Sequence, residues 1–499
     1  MQIEDNTKLF YLFFRIMVID ALKYQILQQF GFVPTEEQGQ ALDAFARFLT
    51  DRDPHAVMIL RGSAGTGKTS LSGAIVRTLK AIRQKVMLLA PTGRAAKVFS
   101  LNSGYPAYTI HRRIYREKSF AGVDGQFNLN DNLFTDTLFM VDEASMISNL
   151  GLGGGNFGSG CLLDDLVRFV YQGHNDRLML IGDKAQLPPV GEEESPALNR
   201  MMLEGYGLKV YECDLNEVLR QSQESGILYN ATVIRQMITH DAITQLPLIR
   251  FKGFADIVMM PGNELVESLA NSYYRVGQDE TMVITRSNKR ANIYNNGIRN
   301  MVLDREDELS CGDMLMIVKN NYFWTEKERN EVMEALNAIP PFLANGDRAK
   351  VLRVSRHMEL YGFRFATLLL QFPDYDNYEM SVTALLDTLQ SEAPALTHEQ
   401  QEQLFHGVEE DYQDVPLKAD RMKAIRGDQY FNALQVKYAY AITCHKAQGG
   451  QWEHVYVDQG YMTDDMLTPD YIHWLYTAFT RAKDKLFLVN WPKTQTEQA

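Results

Sequence analysis

Cysteine is scarce in this chain: Cys161, Cys213, Cys311 and Cys444 are the only four in 499 residues, and no two form a C-x-x-C pair. Such spacing argues against a zinc site or a disulfide framework, and single thiols suit a reducing cytoplasm. Long apolar runs are lacking as well. Leu9–Ala21 is too short to cross a bilayer and is interrupted by Arg15 and Asp20. Its upstream flank is not basic and no small-residue cleavage site follows it, so no signal peptide and no membrane partner are expected. An N-terminal helix is expected instead, with Met17 as an alternative start. Positive charge is in deficit, with 50 Lys and Arg against 63 Asp and Glu and a net charge of −13. Neutralising nucleic-acid phosphates needs cations, so the average charge argues against strong non-specific binding to such a polymer. One stretch, Glu399–Asp414, is acidic without a single Lys or Arg, so charge is unevenly spread and local basic sites can lie elsewhere.

Apolar side chains are plentiful. At 45% hydrophobic and 11% aromatic content, the chain can fill several cores. Ala56–Leu60, Lys85–Ala90, Thr137–Val141 and Leu178–Ile181 read as buried strands, and Leu162–Tyr171 has an amphipathic helical period. This alternation predicts an α/β fold with a parallel sheet. Near residue 305 the character changes. Gly312–Val318, Gly346–Val354 and Phe363–Phe372 read as strands with turn signals between them, and the charged, helix-prone Gln401–Ala424 continues this insert. Buried strands return at Val436–Ile442, His454–Asp458 and Leu486–Val489, with a helix near Tyr471–Lys483. Gly151–Gly160 is glycine-rich. No Lys-Ser/Thr pair follows it and no strand feeds it, so it reads as a flexible loop rather than a phosphate cradle.

Gly62–Thr69 (GSAGTGKT) carries the chemistry most plainly. It fits G-x-x-x-x-G-K-[ST] and lies between a buried strand and a helix. The backbone of Gly62, Ser63, Ala64, Gly65, Thr66 and Gly67 can wrap a pyrophosphate with its N–H groups inward. Lys68 supplies charge to the β- and γ-phosphates, Thr69 offers a hydroxyl to Mg²⁺, and Ser70 extends the cradle. Val141–Ala144 (VDEA) ends another buried strand. There Asp142 can hold Mg²⁺ and Glu143 can polarise an attacking water. Together the two motifs imply ATP and Mg²⁺ as cofactors and ATP hydrolysis as the reaction.

Further motifs resemble those of superfamily 1 helicases of the RecD/Dda type. Ile181–Gly191 (IGDKAQLPPVG) is similar to motif III, implying that Gln186 contacts the γ-phosphate and that Pro188 and Pro189 border a nucleic-acid groove. Thr443–Gly450 (TCHKAQGG) resembles motif V, Tyr476–Ala482 (YTAFTRA) motif VI and Asn216–Gln221 (NEVLRQ) motif IV. These resemblances imply Arg220 and Arg481 as arginines that reach the γ-phosphate from a second lobe, a device worth about 10³–10⁵ in rate. They also imply Gly449 at the nucleotide and Thr443 and His445 on the strand. Leu89–Lys97 (LAPTGRAAK) resembles motif Ia and Thr109–Arg112 the element that follows it, so Thr92, Arg94 and His111 would meet strand phosphates, which position without reading sequence. Pro34–Ala41 (PTEEQGQA) resembles the Q-motif, with Gln38 suited to an adenine edge.

The resemblance runs from about residue 34 to 490 and implies two RecA-like lobes of a P-loop NTPase. An N-terminal helical extension at 1–30 precedes the first lobe at 31–190, which carries a β-hairpin insertion near 112–136. The second lobe comprises 191–305 and 433–494, interrupted by an SH3-like β-rich insertion at 306–432. In this family such a hairpin separates strands. Phe120 or Phe127 would either stack on a base at the fork, worth about 1–3 kcal/mol, or pack the hairpin onto the lobe. The implied function is ATP-driven translocation on single-stranded DNA, 5′→3′ by resemblance, with unwinding of forked DNA by a monomer. The alternative is a nucleotide-switched clamp that binds DNA and recruits partners without unwinding.

Overall fold

The computed structural model describes residues 17–121, 124–151, 158–217, 224–240, 245–331 and 342–497. A helix over 17–30 buries Leu22, Ile26 and Phe30 against the helix Glu36–Leu49 and the first sheet's core. Strand β1 (Ala56–Gly62) is buried at every position, as expected for a parallel strand covered on both faces. After β2 (Lys85–Ala90) and β3 (Ala107–Thr109), a hairpin leaves the sheet as β4 (Tyr115–Ala121) and β5 (Asp124–Leu129). The chain returns through β6 (Thr137–Val141), β7 (Arg177–Gly182) and β8 (Lys209–Leu215). These form a six-stranded parallel sheet in the order β3-β2-β6-β7-β1-β8.

Strand β8 corrects the expected lobe boundary at 190/191, because it pairs with β1 in the first sheet. It is a half-exposed edge strand, without the continuous apolar run that marks a buried one. Charge fixes it in place: Arg61 of β1 bonds Glu212 at 2.8 Å and Asp214 at 2.5 Å.

Two further strands, β9 (Ile257–Met260) and β10 (Thr281–Thr285), begin the second sheet. The chain then leaves it to build a closed barrel from β11 (Met314–Ile317), β12 (Arg348–Leu360), β13 (Phe363–Phe372), β14 (Tyr378–Leu385) and β15 (Leu434–Tyr438). Helices His398–Asp411 and Lys418–Arg426 cover one end of it through Leu404, Phe405, Val408 and Ile425. The chain rejoins the second sheet at β16 (Ala441–Thr443), β17 (Trp452–Asp458) and β18 (Ala482–Val489), giving the parallel order β16-β10-β17-β18-β9. The α/β class with two parallel-sheet lobes and a β-rich insert is therefore present.

The single strand expected over Val436–Ile442 is two strands in different sheets. Buried Asn295 explains the break: its Oδ1 accepts from Tyr440 N at 3.0 Å and Ala441 N at 2.8 Å, and its Nδ2 donates to Tyr438 O and Ala441 O. The expected return to the second lobe at 433 accordingly shifts past β15.

The entry to the barrel lies beside this exit. Fully buried Asp313 accepts from Arg299 Nε at 3.1 Å, Arg305 Nη1 at 2.7 Å, Tyr440 Oη at 2.8 Å and Ser310 N at 2.7 Å. Asp313→Ala strands the buried Arg299 guanidinium without its carboxylate. The expected loss is about 3–5 kcal/mol of stability, measured by denaturant unfolding.

Candidate active site

The phosphate loop closes tightly on itself. Gly65 and Gly67 have φ of 79° and 78°, a left-handed conformation that glycine adopts without steric cost. Thr66 Oγ1 donates to Ser63 O at 2.8 Å, and a Cβ on Gly62 would stand 3.0 Å from that hydroxyl. Lys68 opens the helix Lys68–Ala81 and donates from Nζ to Gly62 O at 3.1 Å, so its charge lies across the loop. Thr69 and Ser70 are exposed at the helix start.

Three strand ends meet here. Asp142 and Glu143 follow β6, and Asp183 and Gln186 follow β7, which is the neighbour of β1. Burial and the adjacent Glu143 push the Asp142 carboxyl up to about 6, against the opposing pull of Lys68. Burial also raises Asp183, with Lys68 again opposing. Glu143 adopts the left-handed region at φ 52°, a conformation uncommon for a non-glycine residue. Two buried acceptors here, Glu143 Oε2 and Gln186 Oε1, have no hydrogen-bond partner among the described residues. Buried orphan acceptors are costly, so both are poised for a donor from outside the protein. Thr69 and Asp142 supply hard oxygen donors suited to Mg²⁺, which binds through one or two carboxylates plus substrate phosphates. A cation beside Asp142 would also relieve its repulsion from Glu143.

Gln38 is buried and works within the fold. Its Nε2 donates to Thr66 O at 2.9 Å, and its Oε1 accepts from Thr35 N at 3.0 Å, completing a capping box. Its amide thus braces the phosphate loop.

The helix Pro469–Phe479 of the second lobe docks on the segment after β7. His473 Nδ1 meets Ala185 O at 2.9 Å, Thr477 Oγ1 accepts from Leu187 N at 2.8 Å, and Gln448 Nε2 donates to Leu187 O at 2.8 Å. Tyr476 donates to Asp183 Oδ2 at 2.7 Å and accepts from Ala64 N at 3.0 Å. Tyr476 and Asp183 were not among the expected site residues, although both lie inside quoted motifs. Arg481 is buried in the second lobe, with Nε on Thr477 O at 3.0 Å, Nη1 on Gly450 O at 3.2 Å and Nη2 on Thr480 Oγ1 at 3.1 Å. Arg220 lies outside the described residues.

The residues expected on the strand come from both lobes, Thr92, Arg94, His111, Pro188 and Pro189 from the first and Thr443 and His445 from the second. Thr92 caps the helix Gly93–Ser103, accepting from Ala95 N at 3.2 Å. Arg94 stacks 4.4 Å from the centroid of Trp452 and donates to Gln451 O at 3.0 Å. Gly449, expected at the nucleotide, packs on this helix: a Cβ there would stand 3.0 Å from Ala95 Cβ and 3.4 Å from Thr92 Oγ1. Its visible role is to let the lobes approach closely. Pro188 is buried and Pro189 half-buried, Thr443 is half-buried and His445 exposed. Burial pulls His111 down to about 4, so at neutral pH it offers a hydrogen bond and no charge. The hairpin base is anchored by Tyr115 Oη on Asp165 at 2.7 Å. Phe120 and Phe127 stand opposite Gly125 and Glu117 in its register, and their side chains lie outside the described residues.

Known proteins align with the same two regions. Residues 35–246 match the AAA domain family, and residues 438–489 match the UvrD-like helicase C-terminal domain. An uncharacterised protein of Methanocaldococcus jannaschii is 33% identical over 171 residues, covering 32% of this chain and 14% of that protein. The ATP-dependent RecD2 DNA helicase of Deinococcus radiodurans is 31% identical over 157 residues, covering 31% of this chain and 18% of that enzyme. The alignments thus span less than a fifth of either relative. A Bacteroides Pif1 helicase solved with ADP-AlF3 and single-stranded DNA is 14% identical, with a TM-score of 0.46 over 94% of this chain and 95% of that one. With the phosphate loop, the paired acids and the segment after β7 on one sheet edge, and the UvrD-like segment docked against it, the two domain matches and the RecD2 relative support a superfamily 1 helicase of the RecD type.

Proposed function

We propose that this chain is an ATP-dependent DNA helicase that moves along single-stranded DNA, 5′→3′, and opens forked duplexes. One observation carries the reading: the second-lobe helix Pro469–Phe479 touches both the phosphate loop at Ala64 and the segment after β7 at Asp183. A nucleotide bound in the loop therefore lies where the lobes meet, and its hydrolysis changes how they dock. That is the mechanical requirement of a motor. The relative named as an ATP-dependent DNA helicase supports the same reading.

The chemistry follows from the residues. Lys68 and the loop N–H groups hold the phosphates. Glu143, with a free buried oxygen, orients and deprotonates the attacking water, and Gln186 offers its amide to the γ-phosphate. Bound Mg²⁺, held from Thr69 and Asp142, would offset phosphate charge. Arg481, and Arg220 with it, would stabilise transition-state charge from the second lobe once hydrolysis-competent closure turns them toward the phosphates.

Lys68→Ala should abolish ATP hydrolysis with the fold retained, and Glu143→Gln should bind ATP but turn it over at least 100-fold more slowly. Steady-state ATPase on single-stranded DNA, with a melting curve, checks both. Wild-type turnover by either variant would remove the catalytic assignment.

The hairpin gives a separate prediction. Replacing Phe120 and Phe127 together with Ala should leave strand-stimulated ATPase near wild type but cut unwinding of a 5′-tailed fork. If both instead pack the hairpin onto the lobe, melting temperature and ATPase fall with unwinding, because burying large aromatics is worth about 3–5 kcal/mol each. ATPase without separation on forks of either tail polarity would favour the clamp.

A further inference from the structure

One contact joins all three parts of the candidate site. The Tyr476 hydroxyl accepts from the backbone N–H of Ala64, inside the phosphate loop, while donating to Asp183 on the neighbouring strand end. The ring is 1% exposed, so this is a fixed internal contact. Burial and the adjacent carboxylate push the phenol well above its ordinary value. It therefore remains protonated, able to accept from Ala64 and donate to Asp183 at once.

The loop N–H groups are the donors that a phosphate requires. A phosphate oxygen carries charge and is a stronger acceptor than a neutral phenol, so the two compete for the same hydrogen. Losing Ala64 removes the one hydrogen bond that ties this helix to the loop among the described residues. The neighbouring bonds between His473 and Ala185 O, and from Leu187 N to Thr477 Oγ1, involve the same helix and feel the change.

We propose that Tyr476 is a positioning residue that competes with nucleotide phosphate for the Ala64 N–H, coupling occupancy of the phosphate loop to the docking of the second lobe. The proposal rests on the reading of Gly62–Thr69 as a nucleotide site. It makes the tyrosine an internal antagonist of nucleotide binding, held in place by Asp183.

Tyr476→Phe keeps the ring and deletes the competitor. A single net hydrogen bond corresponds to about a two- to tenfold change in equilibrium. The variant should therefore bind a non-hydrolysable ATP analogue about two- to tenfold more tightly than wild type, by titration calorimetry, while its melting temperature stays the same or falls. A purely structural tyrosine predicts equal or weaker affinity, and that result overturns the proposal. Hydrogen exchange on the wild-type chain tests it independently, should the variant fold poorly. The Leu187 amide, held by Thr477, should exchange faster with the analogue bound, and unchanged or slower exchange overturns the proposal. A wild-type chain that does not bind the analogue overturns the nucleotide reading itself, a result distinct from equal affinities in the two proteins.

Discussion

The seam between the two lobes is built from buried polar groups, backbone and side chain, that pair from one side to the other. Burying an unpaired amide or carbonyl costs as much as several good contacts return, so the lobes can meet only where their donors and acceptors match. The segment after β7 presents Asp183, the carbonyl of Ala185 and both backbone groups of Leu187. The second lobe answers with Tyr476, His473, Thr477 and Gln448. This matching sets the registration of the lobes, and thereby what a ligand in the phosphate loop touches. Lys68 opposes the burial that raises the carboxylates at the ends of β6 and β7.

Much of this was legible in the sequence because it depends on local pattern. A buried parallel strand announces itself as an apolar run, so β1, β2, β6 and β7 were visible. The phosphate loop was visible because its backbone needs glycine at particular places. What escaped notice was set by tertiary pairing. Strand β8 carries charged and aromatic side chains and owes its place to the Arg61 ion pairs. The apolar run over Val436–Ile442 looks continuous, yet Asn295, some 140 residues earlier, turns it from one sheet into another. No local pattern encodes a partner that distant.

The residues expected on the strand show the same limit from the other side. Sequence motifs give residue types without saying which groups the fold has already used. Arg94 has the chemistry of a phosphate contact and also stacks on Trp452, and Gln38 suits an adenine edge and also braces Thr66. Both are tied to elements far away in sequence, by cation–π attraction to Trp452 in one case and an amide hydrogen bond to Thr66 O in the other. Tyr476 went unremarked because a tyrosine beside an arginine motif reads as packing, and only the fold shows that its hydroxyl spans two lobes.

The barrel enters and leaves the second sheet through neighbouring residues: Tyr440 Oη bonds Asp313, and Ala439 N donates to Met314 O at 2.8 Å. A module whose two ends touch adds almost no span to its host. The entropy of closing a loop grows only as the logarithm of its length, so the host sheet hardly registers how long the inserted chain is. Length changes in the barrel's outer turns therefore cost β10 and β16 little closure entropy, whereas its inner face shares one hydrophobic core with the second sheet and is tied to it. The second sheet thus has a socket whose rims meet, and chain added at the barrel's far end leaves those rims where they are.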